Sequence, residues 1–347
     1  MESAAMPDRG PAGAEVHRTS RSRRPRAAAA WDAVTLLPNP APEIDRDVID
    51  LSARFLGRSL GLPLLIDAGA DAAIASIAAV AGRWRLPAVL GYVLPSLADG
   101  GRLTLLQAAR AAAPDVHLFG ELPASALVPQ LERDELDPAW LQGLLAETGL
   151  DGLVVRLDFT ELALGGQRGP NGTGFLDALL ALVRRLRLPV LIRGPVGIPR
   201  RLGRELVERG AAALVVAGAE VASARAAHDV AAPTHTSFAG WGIPPLAALR
   251  MLRSVGVPLL CDGALASGLD VARALALGAD LVIVRADDPT ELAADLKSIA
   301  RDLRVAMFLT GSPRLQALRL APFVATGETR EWLEAAESLW RADTLGN

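Results

Sequence analysis

Cysteine is almost absent from this chain. The one thiol, Cys261, excludes an internal disulfide and fits a reducing compartment. It falls inside a predicted buried strand, where a thiol behaves as a small apolar residue rather than a nucleophile. Histidine is also sparse, at His17, His117, His228 and His235, and no HxxxH, HxH or Cys/His spacing marks a transition-metal site. Aromatic residues make up 4 % of the chain, which leaves Ala and Leu to build the core. No uncharged apolar run approaches the roughly 20 residues of a membrane span, and the start lacks the apolar centre of a signal peptide. The net charge of −3 gives no case for nucleic acid or an anionic membrane surface. There is no GxGxxG after the first predicted strand, no GxSxG elbow and no Walker loop. These absences point to a soluble cytoplasmic protein of none of the common nucleotide-binding or serine-hydrolase classes.

What is present is a regular alternation. With 51 % apolar residues, the 347-residue chain can bury one large core. Short apolar runs at 63–66, 88–92, 116–120, 153–157, 190–192, 213–216, 258–261 and 281–284 read as strands buried on both faces. Ala/Leu-rich segments with helical spacing lie between them, at 72–81, 103–112, 138–147, 174–187, 200–209, 244–252 and 269–277. Eight strands alternating with helices predict a (β/α)8 TIM barrel rather than an open doubly wound sheet. Helices at 289–309, 314–320 and 328–339 follow it. Ahead of it, residues 1–35 form a basic arm with Arg18, Arg21, Arg23, Arg24 and Arg26 close together. The arm reads as a solvated, disordered tail, or as a segment that folds over an anionic substrate. Residues 36–340 form the single barrel domain.

The stretch 257–285 shows how the pattern is written. An apolar strand breaks at Asp262-Gly263, and Ser267 stands three residues before Asp270, the spacing of a capping box. Val271, Ala274 and Leu275 give the apolar helix face, and Gly278 stands where a left-handed stop is wanted. Barrel enzymes place their sites at the carboxyl ends of the strands. Those positions carry Asp67, Tyr92, Glu121, Arg156 with Asp158, Arg193, Gly218, Asp262 with Gly263, and Arg285. Arginines on buried strands need an anion. Arg156 and Arg193 therefore bind an anionic ligand, or pair with Asp158 or Glu121. Gln167, in a Gly-rich loop, either orients a substrate or belongs to a loop without a role. His117 reads as a core residue within a strand, and His235 near the rim is a weaker candidate base.

Several phrases resemble the type 2, flavin-dependent isopentenyl diphosphate isomerases. Pro42-Glu-Ile-Asp45, Ile49-Asp-Leu-Ser52, Phe55-Leu-Gly57 and Pro63-Leu-Leu-Ile66 are similar to that family's entry into its first strand. Trp241-Gly-Ile-Pro244, Ser267-Gly-Leu-Asp-Val-Ala272 and Ala274-Leu-Ala-Leu-Gly-Ala-Asp280 resemble its late strands and phosphate loop. Ala306-Met-Phe-Leu-Thr-Gly311, Thr326-Gly-Glu328 and Glu331-Trp-Leu333 resemble its C-terminal helices. The resemblance implies an FMN-binding barrel that interconverts isopentenyl and dimethylallyl diphosphate, with Mg2+ and with flavin kept reduced by NAD(P)H. It implies Gln167 as the catalytic residue, Arg156, Arg193 and Asp158 at the diphosphate substrate, and Gly218, Trp241, Gly242, Gly263, Ala264 and Ser267 at the flavin. It assigns no protein metal ligand, because Arg168 stands where the family carries a metal-binding Glu. A homo-oligomer is compatible with apolar residues on the outer helices.

The departures from the family pattern fall at the strand ends. The Ser/Thr/Met/Gly run after the first strand becomes Asp67-Ala-Gly-Ala-Asp71, and His-Leu-Asn after the fourth becomes Arg156-Leu-Asp158. The fifth-strand Lys becomes Arg193, which keeps the charge and loses a titratable ammonium. Glu220 and Asp262 bring negative charge to a flavin-phosphate site that favours small residues, backbone N–H groups and cations. Two alternatives to an isomerase follow. One is a non-catalytic, flavin-free barrel that acts by binding. The other is a different FMN-dependent oxidoreductase, although the late His-Gly-Gly of hydroxy-acid oxidases has no counterpart here.

Overall fold

The computed structural model describes residues 30–69, 73–93, 100–129, 136–164, 170–218, 238, 241–263, 265 and 267–345. Its centre is a closed barrel of eight parallel strands: β4 (Leu64–Ala68), β5 (Ala88–Tyr92), β6 (Leu118–Pro123), β7 (Gly152–Arg156), β8 (Val190–Gly194), β9 (Ala213–Ala217), β10 (Leu259–Asp262) and β11 (Leu281–Ala286). Each strand pairs with its successor, and β11 closes the ring on β4 with Arg285 beside Asp67. The TIM-barrel fold expected from the alternation is therefore the fold observed. Every strand read from the sequence is present, because each is an apolar run that only a sheet covered on both faces can bury.

Strand β6 starts later than expected. The Leu118 N–H donates to the Asp151 carboxylate at 2.9 Å, and the β6–β7 ladder begins only at Phe119. His117 thus lies just before the strand rather than inside it, with Nε2 3.2 Å from the Leu56 carbonyl. Burial pushes its imidazole below the ordinary histidine range.

The helices agree closely with their sequence signals. Pro289–Leu309 begins with Pro at its first turn, where the missing N–H is no loss, and Asp288 accepts from the Thr290 and Glu291 N–H groups. Gly268–Leu277 starts at Ser267, whose hydroxyl accepts the Asp270 N–H, and stops at Gly278 with φ of 115°. Gly268 has a packing role: a Cβ there would lie 2.2 Å from the Ile299 carbonyl and 2.4 Å from the Leu303 nitrogen. Only glycine lets these two helix backbones approach so closely.

Four short strands went unread in the sequence. β2 (Ala53–Phe55) and β3 (Arg58–Leu60) form a hairpin below the barrel, turning through Leu56 and Gly57, both at positive φ. β1 (Val34–Leu36) pairs antiparallel with β12 (Phe323–Ala325), joining the segment ahead of the barrel to the one before the helix Gly327–Leu345. Trp31 and Val34 are buried in the main core, so the described chain is packed from residue 30, ahead of the boundary drawn at 35. The arginine cluster of residues 18–26 lies outside the described residues. Among the described residues, no helix is long and apolar enough to cross a membrane.

Candidate functional site at the barrel mouth

Barrel interiors are filled in layers of four side chains drawn from alternate strands. In the ring order, β4, β6, β8 and β10 alternate. Their carboxyl ends supply Asp67, Glu121, Arg193 and Asp262, and these four side chains meet. Arg193 Nη2 lies 2.8 Å from an Asp67 oxygen and 2.9 Å from an Asp262 oxygen, while Nη1 donates to Glu121 in a short bond. The uppermost layer of the core is thus one guanidinium among three carboxylates. Arg193 and Glu121 are each 1 % exposed, Asp67 2 % and Asp262 9 %.

Such a layer is stable only because the charges meet. Burial by itself pushes the guanidinium pKa down, but Asp67, Asp262 and Glu121 outweigh it and hold Arg193 well above its ordinary value. Arg193 therefore stays a cation at any working pH. Three carboxylates face it, so the layer carries a formal excess of two negative charges. Beneath it, burial and the neighbouring Asp262 raise the Cys261 thiol well above its ordinary pKa, which makes it no nucleophile.

Beside this layer stands a second polar group. Arg156, level with Arg193 on the adjacent strand, donates to the Tyr92 hydroxyl at 2.5 Å and to Glu161 at 2.6 Å. Asp158 is not its partner. That carboxylate accepts the Ser125 N–H at 2.8 Å and the Ser125 hydroxyl at 2.5 Å. Ser125 and Glu161 were invisible as site residues, since one sits on a 3-10 turn and the other on the short helix Phe159–Leu164, which carries too few apolar positions to announce itself. Arg102 is a further buried cation, donating to the Leu90 carbonyl at 2.6 Å.

No protein-family model matches the chain. Curated relatives do. An isopentenyl-diphosphate delta-isomerase of Methanoregula boonei is 32 % identical over 88 % of this chain and 90 % of its own length. One from Xanthobacter autotrophicus is 33 % identical over 86 % of this chain and 91 % of its own, and one from Stutzerimonas stutzeri 34 % identical over 81 % and 86 %. This chain belongs to the type 2 isopentenyl-diphosphate delta-isomerase family. Solved structures similar to this member of the isomerase family include a putative lactate oxidase of Pediococcus acidilactici, with TM-score 0.65 and 14 % identity over 87 % of this chain and 86 % of that one. A mandelate oxidase mutant with a monooxide FMN adduct matches with TM-score 0.60 and 18 % identity over 86 % and 90 %. At such identities these two speak for the shared fold alone.

The positions that the isomerase resemblance assigns to flavin can now be placed. Gly263 is covered: the Trp31 indole donates to its carbonyl at 2.9 Å, and a Cβ on Gly263 would lie 2.9 Å from the same ring. The Ser267 hydroxyl is engaged in its helix cap and donates to Asp270 at 2.8 Å, a carboxylate that also meets Arg273 at 2.8 Å. Gly218 packs against Pro245, and Gly242, with φ of 142°, lies against the Val196 carbonyl. Trp241 is 60 % exposed and rests edge-on against Phe238. Gln167 and Ala264 lie outside the described residues. A flavin phosphate wants backbone donors and cations, and these residues offer a filled cradle, a self-capped helix start and Asp262. Of these positions, Gly263, Ser267 and Asp262 suit that phosphate poorly, while residues 219–237, 264 and 266 lie outside the described residues. Among the described residues, no cluster of His, Cys, Asp or Glu could hold a metal ion; at the mouth, a guanidinium occupies the centre of the carboxylates instead.

Proposed function

We propose that this member of the isomerase family works without flavin, as a barrel that binds rather than isomerises. One observation carries the reading: at the mouth the strand-end layer is an ion cluster in which the two terminal nitrogens of Arg193 already face Asp67, Glu121 and Asp262, leaving only Nε without a partner. An incoming diphosphate would have to displace a carboxylate from a buried guanidinium, and removing one partner of a buried pair costs on the order of 3–5 kcal/mol. The Trp31 indole over Gly263 closes the place where a phosphate would meet backbone.

A second reading, isomerisation of isopentenyl and dimethylallyl diphosphate, draws support from 32 % identity sustained over 88 % of the chain. It requires Arg156, Arg193 and Asp158 to open toward substrate, with Gln167 placing it, and needs FMN, NAD(P)H and Mg2+. A titration of the purified protein with FMN, followed by flavin fluorescence, separates the two. No saturable binding is expected, together with no conversion of isopentenyl diphosphate in the presence of reduced FMN and Mg2+. Saturable FMN binding overturns the flavin-free reading, and conversion establishes the second.

A further inference from the structure

The end of the barrel opposite the mouth carries a cavity of about 680 Å3, within the range of roughly 300–1,000 Å3 typical of small-molecule sites. It lies between the segment 46–52, the start of β4, the turn after the helix Ile74–Arg83, and the helix Pro289–Leu309. Arg46, Arg85, Lys297, Arg301 and Arg304 line it, against two carboxylates, Asp47 and Asp50. The lining thus holds an excess of three positive charges on a chain whose net charge is −3.

The two carboxylates are already engaged. Asp47 lies 3.7 Å from Arg46. Asp50 accepts the Ser52 N–H at 2.8 Å, and that bond together with Arg314 holds it below the ordinary carboxylate range. Arg301 leans on Asp302 at 3.1 Å. Arg85, Lys297 and Arg304 form no ion pair among the described residues, and the buried Arg304 Nε has no hydrogen-bond partner. Lys297, Arg301 and Arg304 follow one another at helical spacing of four and three, so a single helix face presents all three. Arg85 enters from the other wall with φ of 53°, a conformation unfavourable for a side chain of its size. Lys297 is also the only lysine in the sequence. The buried residues Ile49 and Leu62 add an apolar side to the same cavity.

From this geometry we infer a second binding site, at the closed end of the barrel, for a small organic phosphate or diphosphate with an apolar body. The phosphate oxygens pair with Arg85, Lys297 and Arg304, which suit a dianion better than a lone carboxylate. The apolar part covers the Ile49 and Leu62 side. None of these residues belongs to the mouth, so the site stands whether or not the flavin-free reading holds.

The single lysine supplies the test. Inorganic pyrophosphate is titrated into the full-length protein by calorimetry at about 0.15 M salt, where exposed, distant charges are screened. In parallel, acetylation of Lys297 is followed by mass spectrometry with and without the ligand. Saturable binding is expected, with Lys297 protected at the same concentrations. Arg304→Ala and Arg85→Ala are each expected to weaken binding by about tenfold or more, the scale of one lost charge-assisted contact. Arg209→Ala, on an outer helix far along the chain, serves as the control and leaves it unchanged. Unchanged melting of the variants separates lost binding from lost fold. Absence of saturable binding by the wild-type protein overturns the site. So does binding that leaves Lys297 unprotected or survives both arginine substitutions.

Discussion

The guanidinium of Arg193 spreads its contacts over two nitrogens, Nη1 toward Glu121 and Nη2 toward Asp67 and Asp262, a fixed span that a single ammonium nitrogen does not have. That span suits a cation set among acids on three alternate strands. Removing the cation alone should be severe. Arg193→Leu removes the buried cation that Asp67, Glu121 and Asp262 share, and is expected to destabilise the fold by about 3–5 kcal/mol in denaturant unfolding. Replacing all four members by apolar residues of similar volume removes the charges together and should be neutral or stabilising by about 1–4 kcal/mol. A quadruple variant as unstable as Arg193→Leu would show that the layer contributes more than mutual neutralisation. Much of this was legible in the chain: Asp67, Glu121, Arg193 and Asp262 could each be named as strand-end residues. Their grouping was not, since it depends on which strands alternate around the closed ring. Pairing Arg156 with the nearby Asp158 failed for a related reason. Side chains two apart on an extended segment share a face, but Asp158 already lies beyond the strand and turns to Ser125.

At the scale of elements, the C-terminal helix Gly327–Leu345 docks on Pro245–Leu252 through Ala247, Met251 and Ala336, with a small polar cluster beside them. Arg253 donates to Glu337 at 2.6 Å, and its guanidinium lies 3.9 Å above the Trp340 ring. The hydrogen bond from Arg253, then the charges of Arg253, Arg250 and Arg341, hold the Glu337 carboxyl below its ordinary range against a partial burial that works the other way. A carboxylate whose pKa is depressed by folding stabilises the native state above its unfolded pKa, near 4.3, and loses that contribution as pH falls through the folded value. Glu337→Gln should therefore lower stability by about 0.5–1 kcal/mol at neutral pH, the scale of a partly exposed pair. The gap to wild type should close below about pH 4, as read from denaturant midpoints across pH. A gap that persists in acid would assign the effect to packing rather than charge. The helix itself was readable from its period, as were the barrel helices. Its cluster was not, because Arg253 and Glu337 are distant in sequence.

At the scale of the whole described chain, the segment ahead of the barrel is tied to the segment that follows it. β1 and β12 pair only with each other, and three-residue strands in which Val34 is the one buried side chain leave no periodic signal. This is why the barrel could be read strand by strand while the β1–β12 junction could not. The junction places Trp31, 1 % exposed, between the core and the loop after β10, where its indole donates to the Gly263 carbonyl. A residue assigned by composition to a solvated arm is thus among the largest side chains in the core. Trp31→Ala should cost about 3–5 kcal/mol, the range for deleting a buried aromatic, and should also leave the Gly263 carbonyl without its donor. Trp31→Phe, which keeps most of the volume and loses the N–H, should cost about 1–2 kcal/mol. If the indole were a removable plug over a working cofactor site, Trp31→Ala would acquire FMN binding. On the flavin-free reading it does not, because Asp262 and the carboxylates around Arg193 still face the site. Flavin fluorescence of the folded variant decides between these outcomes, and binding gained by removing Trp31 would mean that the tryptophan, not the charged layer, is what keeps flavin out.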